Sequence, residues 1–294
     1  MSKLRPIMGA MVVLAAIALV VAFVRGRSAE ATAADAVIEA EQEAGLPPSA
    51  DAAAARIESS PRHAEWATIM AGEDSIRAWV VYPEREGPAP VVLVVHEIFG
   101  LSNWIRGVAD QLAADGFIAI APDLLTMADV PERPDGESDP EIARSAIRTL
   151  DAADVHRHLR AVADWAMQLP AAAPRYGIVG YCWGGSTSFA HAVASPELGA
   201  AVVYYGSSPP AGELSSVQAP VLGLYGGNDE RVNASIAPAE AAMQELGKTY
   251  QPHIFPGAGH GFLRQQNGAE GANMAATREA WPLTVQWFRA HLEG

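Results

Sequence analysis

Few stretches restrict a chain's folding options as tightly as an apolar run that ends on a nucleophile among glycines, and Gly180-Tyr181-Cys182-Trp183-Gly184-Gly185 is such a stretch. The run Tyr176 to Gly180 leads into it, and a segment of small residues, Gly185 to Ala194, leads out. This is the grammar of strand, tight turn and helix, with G-x-C-x-G where a nucleophile elbow more often reads G-x-S-x-G. A side chain lifted on such a turn needs glycines around it, because a Cβ there would strike neighbouring backbone. The following helix would point its N-terminal N–H groups at the sulfur and favour thiolate over thiol. The backbone N–H of Trp183 would supply one half of an oxyanion hole. A buried structural cysteine beside a glycine-rich turn is the plainer reading of the same residues.

The chain has 294 residues, half of them apolar, which is enough for one sizeable core plus an N-terminal extension. A formal charge of -14 argues against a nucleic-acid or acidic-lipid partner. Cys182 is the one cysteine, so neither an internal disulfide nor a thiolate metal cluster can form.

Residues 1–27 read as a signal anchor or signal peptide. Lys3 and Arg5 precede an unbroken apolar run, Ile7 to Val24, which Arg25 and Arg27 close. Its length just suffices to cross a bilayer and exceeds most cleaved signal cores, which favours a retained N-terminal hydrophobic helix. Export to the periplasm or another extracytoplasmic space, with residues 7–24 as tether, is the matching expectation. Ala31-Thr32-Ala33 offers an alternative cleavage site. Residues 28–60, alanine-rich and acidic with Pro47-Pro48, read as a linker, with a short helix around Ala36 to Glu43.

From residue 61 the pattern is that of one folded domain. Ala67–Ala71 and Ile76–Val81 flank Gly72-Glu73-Asp74 as a hairpin. Val91–Val95 and Phe117–Ala121 are fully apolar, as strands buried on both faces are. Ala200–Tyr205, Val221–Tyr225 and Tyr250–Phe255 are further strand runs. Helical spacing marks Asn103–Asp115, a segment from Asp154 to Leu169, Pro238–Leu246 and Ala275–Leu292, the last with an expected kink at Pro282. The excursion Thr126–Pro140 is placed to cover a pocket. Strands alternating with helices predict an α/β fold, a doubly wound, mostly parallel sheet flanked by helices.

In such a sheet, functional groups collect beyond the carboxyl ends of the strands. His96 and Glu97 follow the first buried run, Cys182 the elbow strand, Asp229 the run ending at Tyr225, and His260 the run ending at Phe255. Cys182, Asp229, His260 is nucleophile, acid, base in the order of the α/β-hydrolase fold. A free thiol is little ionised at neutral pH, so His260 must take its proton or stabilise its anion, while Asp229 fixes the imidazole tautomer. Taken singly, Asp229 is also a turn residue and His260 a loop histidine. His156 and His158 face different sides of a helix and are no metal pair. No phosphate loop or dinucleotide fingerprint occurs, and no cofactor or metal is expected.

The set His96-Glu97-Ile98-Phe99-Gly100, Pro122-Asp123-Leu124, Gly180 to Gly185, Tyr204-Tyr205-Gly206, Gly227-Asn228-Asp229 and Gly259-His260-Gly261-Phe262 resembles the dienelactone hydrolase family from about His63 onward. The resemblance implies cleavage of a small-molecule ester or lactone through a cysteine acyl-enzyme. It implies that Glu97 holds the resting thiol and yields when substrate arrives. It further implies an oxyanion hole from the N–H groups of Ile98 and Trp183, and Arg264 as one of two arginines gripping a substrate carboxylate. Arg144 and Arg148 lie near the second position without falling on it. Tyr205, Phe99 and Trp104 are pocket-lining candidates, and a monomer is expected. Thioesterase or acyl-transfer chemistry, a non-catalytic binding protein and a thiol sensor are the alternative readings.

Overall fold

The computed structural model describes Glu43, residues 45–128, 130, 131, 133 and 137–293. The apolar run at 7–24 and the helix expected around Ala36 to Glu43 lie outside these residues. Among the described residues, no helix is long and apolar enough to cross a membrane.

The folded unit is Ala44–Gly294. Its eight strands are β1 (Ala64–Ala71), β2 (Asp74–Val81), β3 (Ala89–Val95), β4 (Ile118–Pro122), β5 (Ala172–Tyr181), β6 (Ala200–Tyr204), β7 (Val221–Gly226) and β8 (Tyr250–Phe255). They form one sheet in the order β1-β2-β4-β3-β5-β6-β7-β8. Only the hairpin β1/β2 and the pair β2/β4 run antiparallel; the remaining neighbours are parallel. β3, β4, β6 and β7 are buried along their whole length, which is why their sequences are unbroken apolar runs rather than alternating ones. Their side chains feed two cores, one on each face. One is built around Trp104, Phe117, Tyr204, Trp281 and Phe288, the other around Ile118, Leu159, Tyr176, Phe189 and Met243.

Chain order places the crevice. From β3 the chain steps to β4 on one side, then returns to β5 on the other, so the winding reverses between β3 and β5. Ligands bind outside the carboxyl ends at such a reversal. Val95 pairs with Gly180 and Tyr204 with Tyr181, so β3, β5 and β6 end level with one another. Gly226 pairs with Phe255, so the loops after β7 and β8 also leave the sheet side by side.

The helix expected from Asp154 begins a turn-fraction earlier, at Ala152, with Asp151 as the cap whose side chain accepts from the Ala153 and Asp154 N–H groups. The last helix, Ala272–Leu292, continues through Pro282.

The expectation of a linker over 28–60 is corrected for its described part. Leu46 to Ser49 are buried, and Ala53–Ser59 form a helix against the helix Asn103–Ala114. The Pro48 ring occupies the space beside Gly107, where a Cβ would stand 2.6 Å from Pro48 Cγ. Pro48 O accepts from Trp104 Nε1 at 3.0 Å and Pro47 O from Gln266 Nε2 at 2.9 Å. Arg56 and Arg62 both close on the buried Asp110 at 2.7 Å. A segment with few large apolar side chains is thus fastened by backbone carbonyls, ring shape and ion pairs.

Candidate functional site

The turn after β5 carries Cys182 at φ 57°, ψ -113°, a left-handed conformation that a side chain adopts only when its surroundings enforce it. The enforcement is backbone packing. A Cβ on Gly180 would sit 1.9 Å from Gly184 O, one on Gly184 2.4 Å from His96 O, one on Gly185 2.4 Å from Tyr204 O, and one on Gly206 2.2 Å from Ser186 N. The ends of β3, β5 and β6 therefore press directly on the elbow, and only hydrogen fits between them.

Cys182 is half-buried and immediately precedes the helix Trp183–Ala194. The Trp183 N–H favours its anion, as the sequence suggested. The helix end is nevertheless outweighed, in the direction expected of a resting thiol beside Glu97. Burial, followed by the charge of Glu97, pushes the thiol up to about 11. At rest the sulfur carries its proton.

After β7, Asp229 is buried; after β8, His260 is partly exposed. His260 Nδ1 lies 2.5 Å from Asp229 Oδ2, so Nδ1 carries the hydrogen and Nε2 is left as the basic nitrogen. Among the described residues no hydrogen bond joins Cys182 Sγ to His260. The histidine loop is braced by a residue the sequence did not mark: Asn273 Oδ1 accepts from Gly259 N–H at 2.9 Å, and its Nδ2 donates to Gln265 O at 2.7 Å.

Glu97, 5% exposed, faces Arg264, with Nε 3.2 Å from Oε2. The pair is an ion pair without hydrogen-bond alignment. Burial raises the Glu97 carboxyl to about 7, and Arg264 pulls in the opposite direction. Because the folded state holds this proton more tightly than the unfolded chain does, the stabilisation is complete below pH 4.5. It is lost as pH rises through 7. At roughly 1.4 kcal/mol per pH unit, stability should fall by on the order of 3 kcal/mol across that window. Urea unfolding of wild type and Glu97→Gln at pH 4.5 and pH 7.5 checks this; an equal pH slope in both would show that Glu97 is not the titrating group.

Two guanidinium groups stand over Phe99, Arg264 at 5.0 Å and Arg144 at 5.1 Å from its ring centroid. Of Arg144 and Arg148, Arg144 is the one whose guanidinium stands over the Phe99 ring. Arg144 lies in the helix Pro140–Ile147 and pairs with Glu141 at 2.7 Å. Arg264 is steadied from behind, since its carbonyl accepts from Ala50 N–H at 3.0 Å. Two of the expected pocket residues are corrected. Tyr205, 0% exposed, lies under His260 with ring centroids 5.2 Å apart, a floor and not a wall. Trp104 is core, committed to Pro48.

A doubly wound sheet with a strained elbow after its fifth strand is the fold of an α/β-hydrolase. The dienelactone hydrolase family model matches residues 76–292. A curated relative in Escherichia coli (strain K12), named "Putative carboxymethylenebutenolidase", is 31% identical over 265 residues, covering 85% of this chain and 96% of the relative. The crystal structure of dienelactone hydrolase from Anabaena variabilis superposes with a TM-score of 0.60 at 25% identity, over 79% of this chain and 99% of that one. A dienelactone hydrolase-like promiscuous phosphotriesterase from metagenomic libraries shares the fold at TM-score 0.68 and 23% identity, over 79% and 99% of the two chains. The chain belongs to the dienelactone hydrolase family and is a carboxylic ester hydrolase.

Proposed function

We propose that the protein hydrolyses a small, carboxylate-bearing lactone or ester through a Cys182 acyl-enzyme, with His260 as base and Asp229 as its orienting partner. The observation that carries this reading is the Asp229-His260 pair, which leaves Nε2 basic, beside an elbow that forces Cys182 into a left-handed backbone. Attack forms the Sγ–C bond while the carbonyl electron pair moves to oxygen, and the thiol proton passes to His260 Nε2. Collapse expels the alcohol oxygen, which takes that proton. Water, deprotonated by His260, then releases the acid and restores the thiol. The N–H groups of Ile98 and Trp183 hold the developing oxyanion.

Glu97 supplies restraint. Beyond the effect of burial, its charge further disfavours the thiolate while it shares Arg264. A substrate carboxylate arriving between Arg264 and Arg144 competes for that arginine, draws Glu97 out of its resting contact and lets the thiolate form. Intact mass measurement after mixing with a slowly hydrolysed aryl ester tests the covalent step. One acyl group on the peptide containing Cys182 is expected; turnover with no adduct, or an adduct elsewhere, overturns it.

The clamp has its own test. Arg264→Ala should raise KM for an acidic lactone by roughly 10- to 100-fold and leave a neutral aryl ester within about threefold. Equal effects on both substrates would withdraw the carboxylate from the account. Export behind the apolar run at 7–24 belongs to the same reading, and fractionation of cells into membrane and soluble pools tests it.

A further inference from the structure

His96 is completely buried, yet neither the acyl transfer nor the arginine clamp makes use of it. Its two nitrogens have different partners. Nε2 faces the Leu124 N–H at 3.2 Å, and a backbone N–H can only donate, so Nε2 accepts. The hydrogen therefore resides on Nδ1, which lies 2.7 Å from Glu97 O and donates to it. Burial holds the ring in this neutral form.

Glu97 O belongs to the same peptide unit as the Ile98 N–H. In a trans peptide the two point in opposite directions, and no described peptide bond is cis. Fixing the carbonyl fixes the N–H. Gly100 N–H approaches the same carbonyl from the far side of the turn at 3.3 Å, a longer bond that leaves the histidine as the tighter hold. Among the described residues no acceptor takes the Ile98 N–H, so it stays available. The His96 ring also stacks on Trp183, with centroids 5.6 Å apart and planes 23° from parallel, so the same side chain rests against the residue that supplies the second N–H.

We infer that His96 is a positioning residue of the oxyanion hole: its Nδ1–H pins the Glu97 carbonyl and so aims the Ile98 N–H at the reacting carbonyl oxygen. The inference rests on the oxyanion hole proposed above. Without the pin the Glu97-Ile98 peptide can rotate, and a rotated peptide presents a carbonyl to the oxyanion, a repulsion in place of a hydrogen bond.

Two variants separate aiming from support. His96→Asn places an amide N–H near Nδ1 and keeps the pin while losing the acceptor for Leu124. His96→Gln reaches to the Nε2 position, keeps that acceptor and loses the short pin. Each is assayed with p-nitrophenyl acetate, with phenyl trifluoromethyl ketone, and with iodoacetamide. The ketone traps the sulfur as a hemithioketal bearing the oxyanion; iodoacetamide alkylates the same sulfur without forming one.

His96→Gln should lower kcat about 10- to 100-fold with KM within about threefold, and weaken the ketone by the same factor. Its alkylation rate should stay at the wild-type value, and His96→Asn should recover most of kcat. An Asn variant no better than Gln, a Gln variant with wild-type kcat, or a matching loss of alkylation would each overturn the inference. Turnover surviving in Cys182→Ala would instead remove the oxyanion reading beneath it, a result distinguishable from all three.

Discussion

Cys182→Ala should reduce kcat/KM for an activated ester by about 10,000-fold or more, because in the proposed mechanism Cys182 is the group that carries the acyl intermediate. His260→Ala should cost a similar factor, and the double variant little beyond either one, since the two side chains act as a unit. The geometry sets this apart from loss of folding. Cys182 is half-buried on a turn, and its side chain makes no hydrogen bond that supports the sheet. Thermal unfolding of Cys182→Ala should stay within a few degrees of wild type while turnover vanishes. Retention of more than about a tenth of the activity in either single variant would place the chemistry elsewhere.

The largest expected stability effect lies two residues upstream. Gly180→Ala puts a Cβ 1.9 Å from Gly184 O and 2.9 Å from Gly185 N, both backbone atoms that cannot rotate away. The elbow would have to open, parting β5 from its own helix where it is pressed by β3 and β6. A loss of at least about 3 kcal/mol is expected, at the upper end for overpacking. For a domain of this size that is a Tm lower by roughly 6–12 °C. Gly212→Ala is the control, since nothing lies within 4 Å of the Cβ it would add. Equal melting of the two variants would mean that the elbow relaxes more easily than its contacts imply.

What the sequence disclosed, and what it withheld, follows from the range over which each effect acts. Strands buried on both faces are written as continuous apolar runs, so Val91–Val95 and Val221–Tyr225 were legible, and with them the loops that carry Glu97 and Asp229. The elbow was legible because its close backbone contacts leave glycines as their trace. The segment from Leu46 to Ser60 was misread because it is fastened through carbonyls and a proline ring, which leave no apolar period. Arg144 could not be chosen over Arg148 from spacing, since its approach to Phe99 depends on how the chain returns from β4 to the helix at Pro140. Tyr205 follows a buried strand and reads as a rim residue, whereas its backbone at φ 39° turns the ring beneath His260. For the thiol, the helix end and the Glu97 carboxylate were both legible as opposing influences, whereas burial, the larger of the raising effects, depends on the packed fold.

That last feature bears on chemical durability. Peroxides and stray electrophiles consume thiolates, not thiols, and a nucleophile with its pKa near 11 presents almost none at neutral pH. An enzyme with one cysteine and no neighbour to resolve an oxidised sulfur gains from keeping it unreactive between turnovers. In the proposed mechanism, sulfur chemistry that switches on only in the presence of its own substrate gives selectivity in time as well as in shape.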